Sequence, residues 1–355
     1  SSRSGIKAAM AHFFSTKRRL NLALQGGGAH GAFTWGVIDR LLREDTIRFD
    51  CISAASAGAI NAVALAHGLA TDGRDAARTL LARVWEDIAK SGVPDIVRLN
   101  PFYNSFWRSP AMAQMASLVS PYDFNPLGFD PLREVLTKWI DFEALRHTPV
   151  VSLRIAATEV RTGKAHFFDH TTISADAVLA SCCLPALHQA IEIDNVAYWD
   201  GGFSANPDLV GLAAGTFARD TMLVQLMPLV RKEVPTDAHA ISDHVYGLTF
   251  QTPLVRDVEL ICACRSAGAR VFGILPPASQ AGRMLAHRFH LIDATPHTSS
   301  MDWSSKVTPD WAQFQKLFEL GVADADVWLS QNSDAIGRRE TVDLASHFLH
   351  RSAAL

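Results

Sequence analysis

Leu20-Asn21-Leu22-Ala23-Leu24-Gln25-Gly26-Gly27-Gly28-Ala29-His30-Gly31 is the stretch from which the fold can be read. A short apolar run breaks on three glycines, and a helical pattern follows from about His30 to Glu44. The order strand, tight turn, helix then repeats at once. Phe49–Ser53 reads as a strand, the chain turns at Ser56, and Ala57–Leu69 reads as a helix. Two such units in succession predict an α/β fold, with a mainly parallel central sheet and helices on both faces. Arg74–Lys90 predicts a third helix. Pro149–Ala157, Ala165–Asp169, Met222–Pro228 and Arg288–Ala294 predict further strands, and residues 191–199 a hairpin turning at Asp194-Asn195. Helices are expected over Asp237–Ser266 and Trp311–Leu329.

The composition limits what such a fold can do. Of 355 residues, 48% are hydrophobic and 19% charged, which excludes a disordered chain. The formal charge of −3 leaves no basic field for nucleic acid, so no nucleic-acid partner is expected. Five scattered cysteines in so long a chain point to reduced thiols rather than a disulfide scaffold. No apolar run approaches the roughly 18 residues of a membrane span. Residues 1–19 form a basic leader without the apolar core of a signal peptide, which predicts a cytoplasmic protein. Residues 20–335 are expected to form one domain and residues 336–355 a tail. Nothing in the chain indicates an oligomeric state.

Residues 94–131 differ in character. Six prolines interrupt a run that holds Phe102, Phe106, Trp107, Met112, Met115 and Phe129. The stretch is too rich in proline for long regular elements and too apolar for a solvated linker. It predicts an inserted cap whose side chains bind substrate and make peripheral contact with a membrane; an added layer of core is the competing reading.

Three motifs carry the chemistry. At Gly26-Gly27-Gly28 the backbone can approach other atoms closely, and the following helix start presents unpaired N–H groups to negative charge. Gly26, Gly28 and Gly31 also satisfy the spacing of a dinucleotide-binding turn, with Asp50 as the ribose acid. The second motif favours the other reading, an oxyanion loop. In Ser53-Ala54-Ala55-Ser56-Ala57-Gly58 a serine sits between strand and helix among small residues, the arrangement of a nucleophile elbow, with Ala54 where the first glycine is expected. A serine needs a base. None of His30, His166, His170, His188 and His290 stands in a recognisable setting, whereas Asp200-Gly201-Gly202 follows a strand and can leave its carboxylate in a cleft. Cys182-Cys183 with Cys262 and Cys264, and His287 with His290, lack the spacing of structural zinc sites.

In this order, the glycine turn, the Ser56 elbow and Asp200-Gly201-Gly202 resemble the patatin-like phospholipase family of lipid acyl hydrolases. Ala180–Pro185, Ser120–Leu127 and the Trp311–Leu329 helix resemble bacterial members, so the likeness runs from about Leu20 to Leu329. It implies a serine-dependent acyl hydrolase of phospholipids or related glycerolipids, with Ser56 as nucleophile and Asp200 as its partner in a dyad without histidine. It further implies an oxyanion hole at Gly26, Gly27 and Gly28, with the N–H of Ala57 beside them. No metal or organic cofactor is implied. The chain departs from the family pattern at His30, where the loop usually carries Arg or Lys, and at Ala54. The alternatives are a general carboxylesterase of the same mechanism, a lipid-binding or regulatory protein, and a nucleotide-dependent oxidoreductase.

Overall fold

In β1 (Arg18–Leu24) the leucines alternate with smaller residues, and that alternation divides the molecule. Leu20, Leu22 and Leu24 enter one buried cluster and Ala23 enters another. Successive side chains of a strand point to opposite faces, so the sheet carries a core on each side. The structure is a computed structural model and describes residues 17–91, 120–124, 130–230, 234–268, 279–299, 301 and 309–349. The other strands are β2 (Ile47–Ala54), β3 (Ser152–Glu159), β4 (Ala165–Phe168), β5 (Ile191–Ile193), β6 (Val196–Asp200), β7 (Asp220–Gln225) and β8 (Arg288–Asp293). The α-helices of six or more residues are α1 (Gly31–Leu41), α2 (Ala57–Ser91), α3 (Pro131–Trp139), α4 (Phe142–His147), α5 (Ala175–Ser181), α6 (Leu209–Gly215), α7 (Ala238–Gly268), α8 (Gln280–Ala286) and α9 (Trp311–Asn332).

The strand order is β5-β6-β3-β2-β1-β7-β8, with β4 also on β3. Pairing is parallel from β3 through β2, β1 and β7 to β8 and antiparallel for β4, β5 and β6. The fold is therefore α/β around a mixed, mostly parallel sheet, as the repeated strand–turn–helix units predict. Helices α1, α2, α5 and α9 cover one face, and α6, α7 and α8 the other. Side chains of Asp130, Asp141, Ser174, Asp208, Ser279 and Asp310 accept N–H groups from the first turns of α3, α4, α5, α6, α8 and α9, which fixes where those helices begin.

Local details follow the sequence closely. The two helices expected between residues 57 and 90 form one run broken at Asp72-Gly73, where Gly73 has φ +79°. Asp194 and Asn195 take φ of 51° and 63°, the left-handed pair that a tight hairpin requires. Helices α1 and α9 touch through glycines: a Cβ on Gly36 would lie 2.1 Å from the Phe318 carbonyl oxygen, and one on Gly321 2.1 Å from that of Phe33. Leu344 and Phe348 are buried in the second core, and Thr341 N–H donates to the Phe289 carbonyl at 3.0 Å. Among the described residues no helix is long and apolar enough to cross a membrane.

Candidate active site

Parallel pairing sets Leu24 opposite Ala54. Gly26 and Ser56 each lie two residues beyond that pair, so the glycine turn and the serine turn leave the sheet side by side. They do so at the carboxyl ends of the strands, where open α/β sheets bind ligands. Asp200 arrives through β3. Ile155 pairs with Ala54 and Phe168, while Ala157 pairs with Asp200 and His166. Because β4 lines one edge of β3 from Ile155 to Thr158, β2 and β6 must meet end to end along the other edge. Their ends are only two β3 residues apart, and this brings the elbow and Asp200 together.

Ser56 has φ +54°, an uncommon conformation for a residue with a Cβ, and one that costs about 1–3 kcal/mol. Its N–H is held by Ser181, with the hydroxyl oxygen at 3.0 Å and the carbonyl oxygen at 3.2 Å. Close packing explains the small residues around it. A Cβ on Gly58 would lie 2.4 Å from the Leu24 carbonyl oxygen, and one on Gly26 2.8 Å from the Ser56 Cβ. Ala54 is fully buried in the first core, so its methyl group is accommodated where the motif expects a glycine.

Asp200 ends β6 and is fully buried. Its N–H donates to the Cys183 carbonyl at 2.8 Å, and its own carbonyl accepts from Thr158 Oγ1 at 2.8 Å. Oδ1 accepts the Gly202 N–H at 2.8 Å, while Oδ2 has no well-oriented partner. Burial penalises the charged form and pushes the carboxyl up to about 7; the hydrogen bond from the Gly202 N–H and the nearby Ser56 hydroxyl oppose that shift without cancelling it. A carboxyl of this kind exchanges a proton near neutrality, which an exposed aspartate does not.

The glycine turn differs from expectation in one respect. The Gly26 N–H is already given to Asn206 Oδ1 at 2.7 Å, in a buried position, so Gly26 does not offer it to a substrate. Among the described residues, no hydrogen bond engages the N–H of Gly27, Gly28 or Ala57. Gly28, with φ +57°, together with Ser56 and Ala57, borders a cavity of about 310 Å³. Its other walls are largely apolar and include Ile60 and Ile88 from α2, Leu132, Leu179, Leu187 and Phe314. Asp130, His188 and Cys182 add polar atoms to the lining. Burial raises Cys182 well above the usual thiol range and Cys183 to about 12, so neither thiol competes as a nucleophile at neutral pH. Phe102, Phe106, Trp107, Met112, Met115 and Phe129 lie outside the described residues.

The other candidates have structural partners. Asp50 pairs with Arg19 at 3.1 Å and accepts the Ala218 N–H at 2.9 Å, which leaves it ill placed for a ribose and removes the second anchor of a dinucleotide site. His30 is buried, and His290 sits between Asp220 and Thr341, at 3.1 and 3.0 Å. His287 contacts Thr221 Oγ1 at 2.7 Å. Cys182 packs against the first core and Cys262 and Cys264 against the second, on opposite faces of the sheet. Three supports of the site, Ser181, Thr158 and Asn206, belong to none of the three chemical motifs. Ser181 stands in the small-residue stretch before Cys182-Cys183, a signal that could have drawn attention to it.

The glycine turn and the strained serine elbow thus border one apolar cavity, and the buried Asp200 ends the strand that meets the elbow's strand along β3. The family model described as patatin-like phospholipase matches residues 22–212, more than half of the chain and all three motifs. The chain belongs to the patatin-like phospholipase family. No curated protein matches it significantly in sequence. Among solved structures, VipD from Legionella pneumophila aligns over 86% of this chain and 67% of that one, with 14% identity and a TM-score of 0.35. That superposition is too loose to add to the assignment.

Proposed function

We propose that the protein is a serine-dependent lipid acyl hydrolase in which Ser56 and Asp200 form the catalytic dyad. The observation that carries this reading is the strained Ser56 elbow at the mouth of an apolar cavity, with the fully buried Asp200 ending the strand that meets β2 two β3 residues away. In the ionised enzyme, Asp200 accepts the Ser56 proton as Oγ attacks the ester carbonyl. The oxyanion is received by the N–H groups of Gly27, Gly28 and Ala57, each such donor being worth roughly 3–4 kcal/mol. Neutral Asp200 then returns the proton to the leaving alcohol. Water attacks the acyl-serine while Asp200 accepts its proton, and that proton goes back to Ser56 as the acid departs.

The apolar cavity beside Ser56 supports an acyl chain as the buried part of the substrate. Residues 94–131 form the cap of the same proposal, with peripheral membrane contact on the cytoplasmic side. The cycle needs neither a metal nor an organic cofactor. The test is direct. Wild-type protein should be labelled by a fluorophosphonate probe and hydrolyse glycerophospholipids, whereas Ser56→Ala should do neither while keeping its melting temperature. An unlabelled wild type, inert on a panel of lipid esters, would end the proposal in favour of a lipid-binding protein.

A further inference from the structure

Asn206 lies six residues beyond Asp200, past the 3₁₀ turn Gly201–Phe203, and is fully buried. Its side-chain amide is used at both ends. Oδ1 accepts the Gly26 N–H at 2.7 Å, and Nδ2 donates to the Phe250 carbonyl, on α7, at 3.1 Å. Gly26 is wedged between this amide and the elbow: a Cβ there would lie 2.8 Å from Ser56 Cβ, 3.0 Å from the Ala55 carbonyl oxygen and 3.2 Å from Asn206 Oδ1. The residues after Asn206 are anchored as well. The Asp208 N–H donates to Ser53 Oγ at 3.0 Å, and Arg154 pairs with the Asp208 carboxylate. Asn206 therefore stands on a short, fixed segment that contacts the glycine turn, the strand before the elbow and the helix behind the aspartate loop.

We infer that Asn206 is a positioning residue that holds the peptide plane before Gly26 so that the following N–H groups of Gly27 and Gly28 face the oxyanion. This rests on the hydrolase reading above. The physical case is that the turn is made of glycines, which impose no conformation of their own. A loop free to rotate would have to be ordered in each transition state, and a displacement of about 1 Å at such donors costs on the order of a hundredfold in rate. The bond to Asn206 removes that freedom before substrate arrives. Asparagine suits the position because it accepts from Gly26 and donates to Phe250 at once while remaining uncharged. An ionised aspartate would face the Phe250 carbonyl with no proton to give and add a second buried charge close to Asp200.

The experiment compares wild type, Asn206→Ala and Asn206→Asp in kcat and KM on one soluble ester, per molecule of folded enzyme. Binding of a trifluoromethyl ketone, whose adduct with the serine carries an oxyanion, is measured in parallel. Asn206→Ala should lose about 10–100-fold in kcat with KM changed less than twofold, and should bind the ketone weaker by a similar factor. Asn206→Asp keeps the acceptor for Gly26 and should retain kcat within about threefold on the high-pH plateau, with the added charge appearing as a lower melting temperature and an upward shift of the pH inflection. An Ala variant that folds and matches wild type in kcat and in ketone affinity overturns the inference. If the Ala variant does not fold, the Asp variant decides: a loss of plateau kcat beyond tenfold overturns the inference, and retention supports it. A wild type inert toward the ester and the ketone would instead overturn the hydrolase reading, so the two failures are distinguishable.

Discussion

Asp200 shows how one residue can be unfavourable for the fold and suited to its chemistry. Its pKa is raised to about 7 in the folded chain against about 3.9 in an unfolded one. The folded protein therefore holds this proton more tightly, and the stabilising contribution is complete below about pH 4 and lost as the pH rises through 7. A shift of roughly three units corresponds to at most about 4 kcal/mol at pH 8. Asp200→Asn should consequently melt at a higher temperature than wild type at pH 8 and show little gain at pH 4. An equal or lower melting temperature at pH 8 would mean that the carboxylate is not held at a cost. For the proposed turnover the direction reverses, since Asp200 acting as the base would have to be ionised. The pH profile of kcat/KM is expected to rise with an inflection near 7, and a flat profile between pH 5 and 8 would exclude Asp200 as the base.

At the scale of elements, helix α2 links the serine to the walls of the cavity. Ile60 stands in the first turn of α2, four residues after Ser56, and both border the cavity. Each buried methylene of an acyl chain is worth about 0.8 kcal/mol, roughly fourfold in kcat/KM. Ile60→Trp should fill the space and flatten the rise of kcat/KM with chain length, with a short-chain ester turned over at close to the wild-type rate. Equal losses on short and long esters would place Ile60 in the support of the elbow instead. The apolar walls come from α2, α3, α5 and α9 and from the segment after Cys183. No single stretch of sequence announces them as a pocket, because each of these side chains also reads as ordinary core.

The molecule as a whole carries a second buried polar region away from the cavity, at the start of β7 and β8. Asp220 receives Arg288, His290 and the Gly337 N–H, and its carboxyl is held down to about 2 by the hydrogen bonds from His290 and Arg288, which together overcome the opposing effect of burial. Burial lowers His287 to about 3. An unfolded chain protonates that histidine near pH 6.5 and the folded one resists, so stability is lost as the pH falls from 6.5 towards 3, by about 1.4 kcal/mol per unit. Asp200 acts in the opposite sense between pH 7 and 4, so the test is a comparison of variants. Urea unfolding at pH 7 and pH 5 should show a smaller fall in stability for His287→Gln than for wild type. An identical fall would mean that another group controls the acid sensitivity.

The alternation in Leu20–Leu24, the three glycines after it and the small residues around Ser56 specified the layered α/β fold and the family locally. Strand, turn and helix are set within a few residues, and glycine at 26 and 58 answers to contacts that any larger side chain would break. The Asp194-Asn195 turn was legible for the same reason. What the sequence could not determine by itself was which distant groups share an edge, a pocket or a proton. Antiparallel arrival of β6 on β3 brings Asp200 towards the elbow, and complete burial raises its pKa to about 7. The Gly26 N–H, expected to face substrate, is claimed by Asn206, and Asp50 by Arg19 and Ala218. Pairing across long separations and desolvation depend on everything that surrounds a residue, so only the tertiary structure decides them.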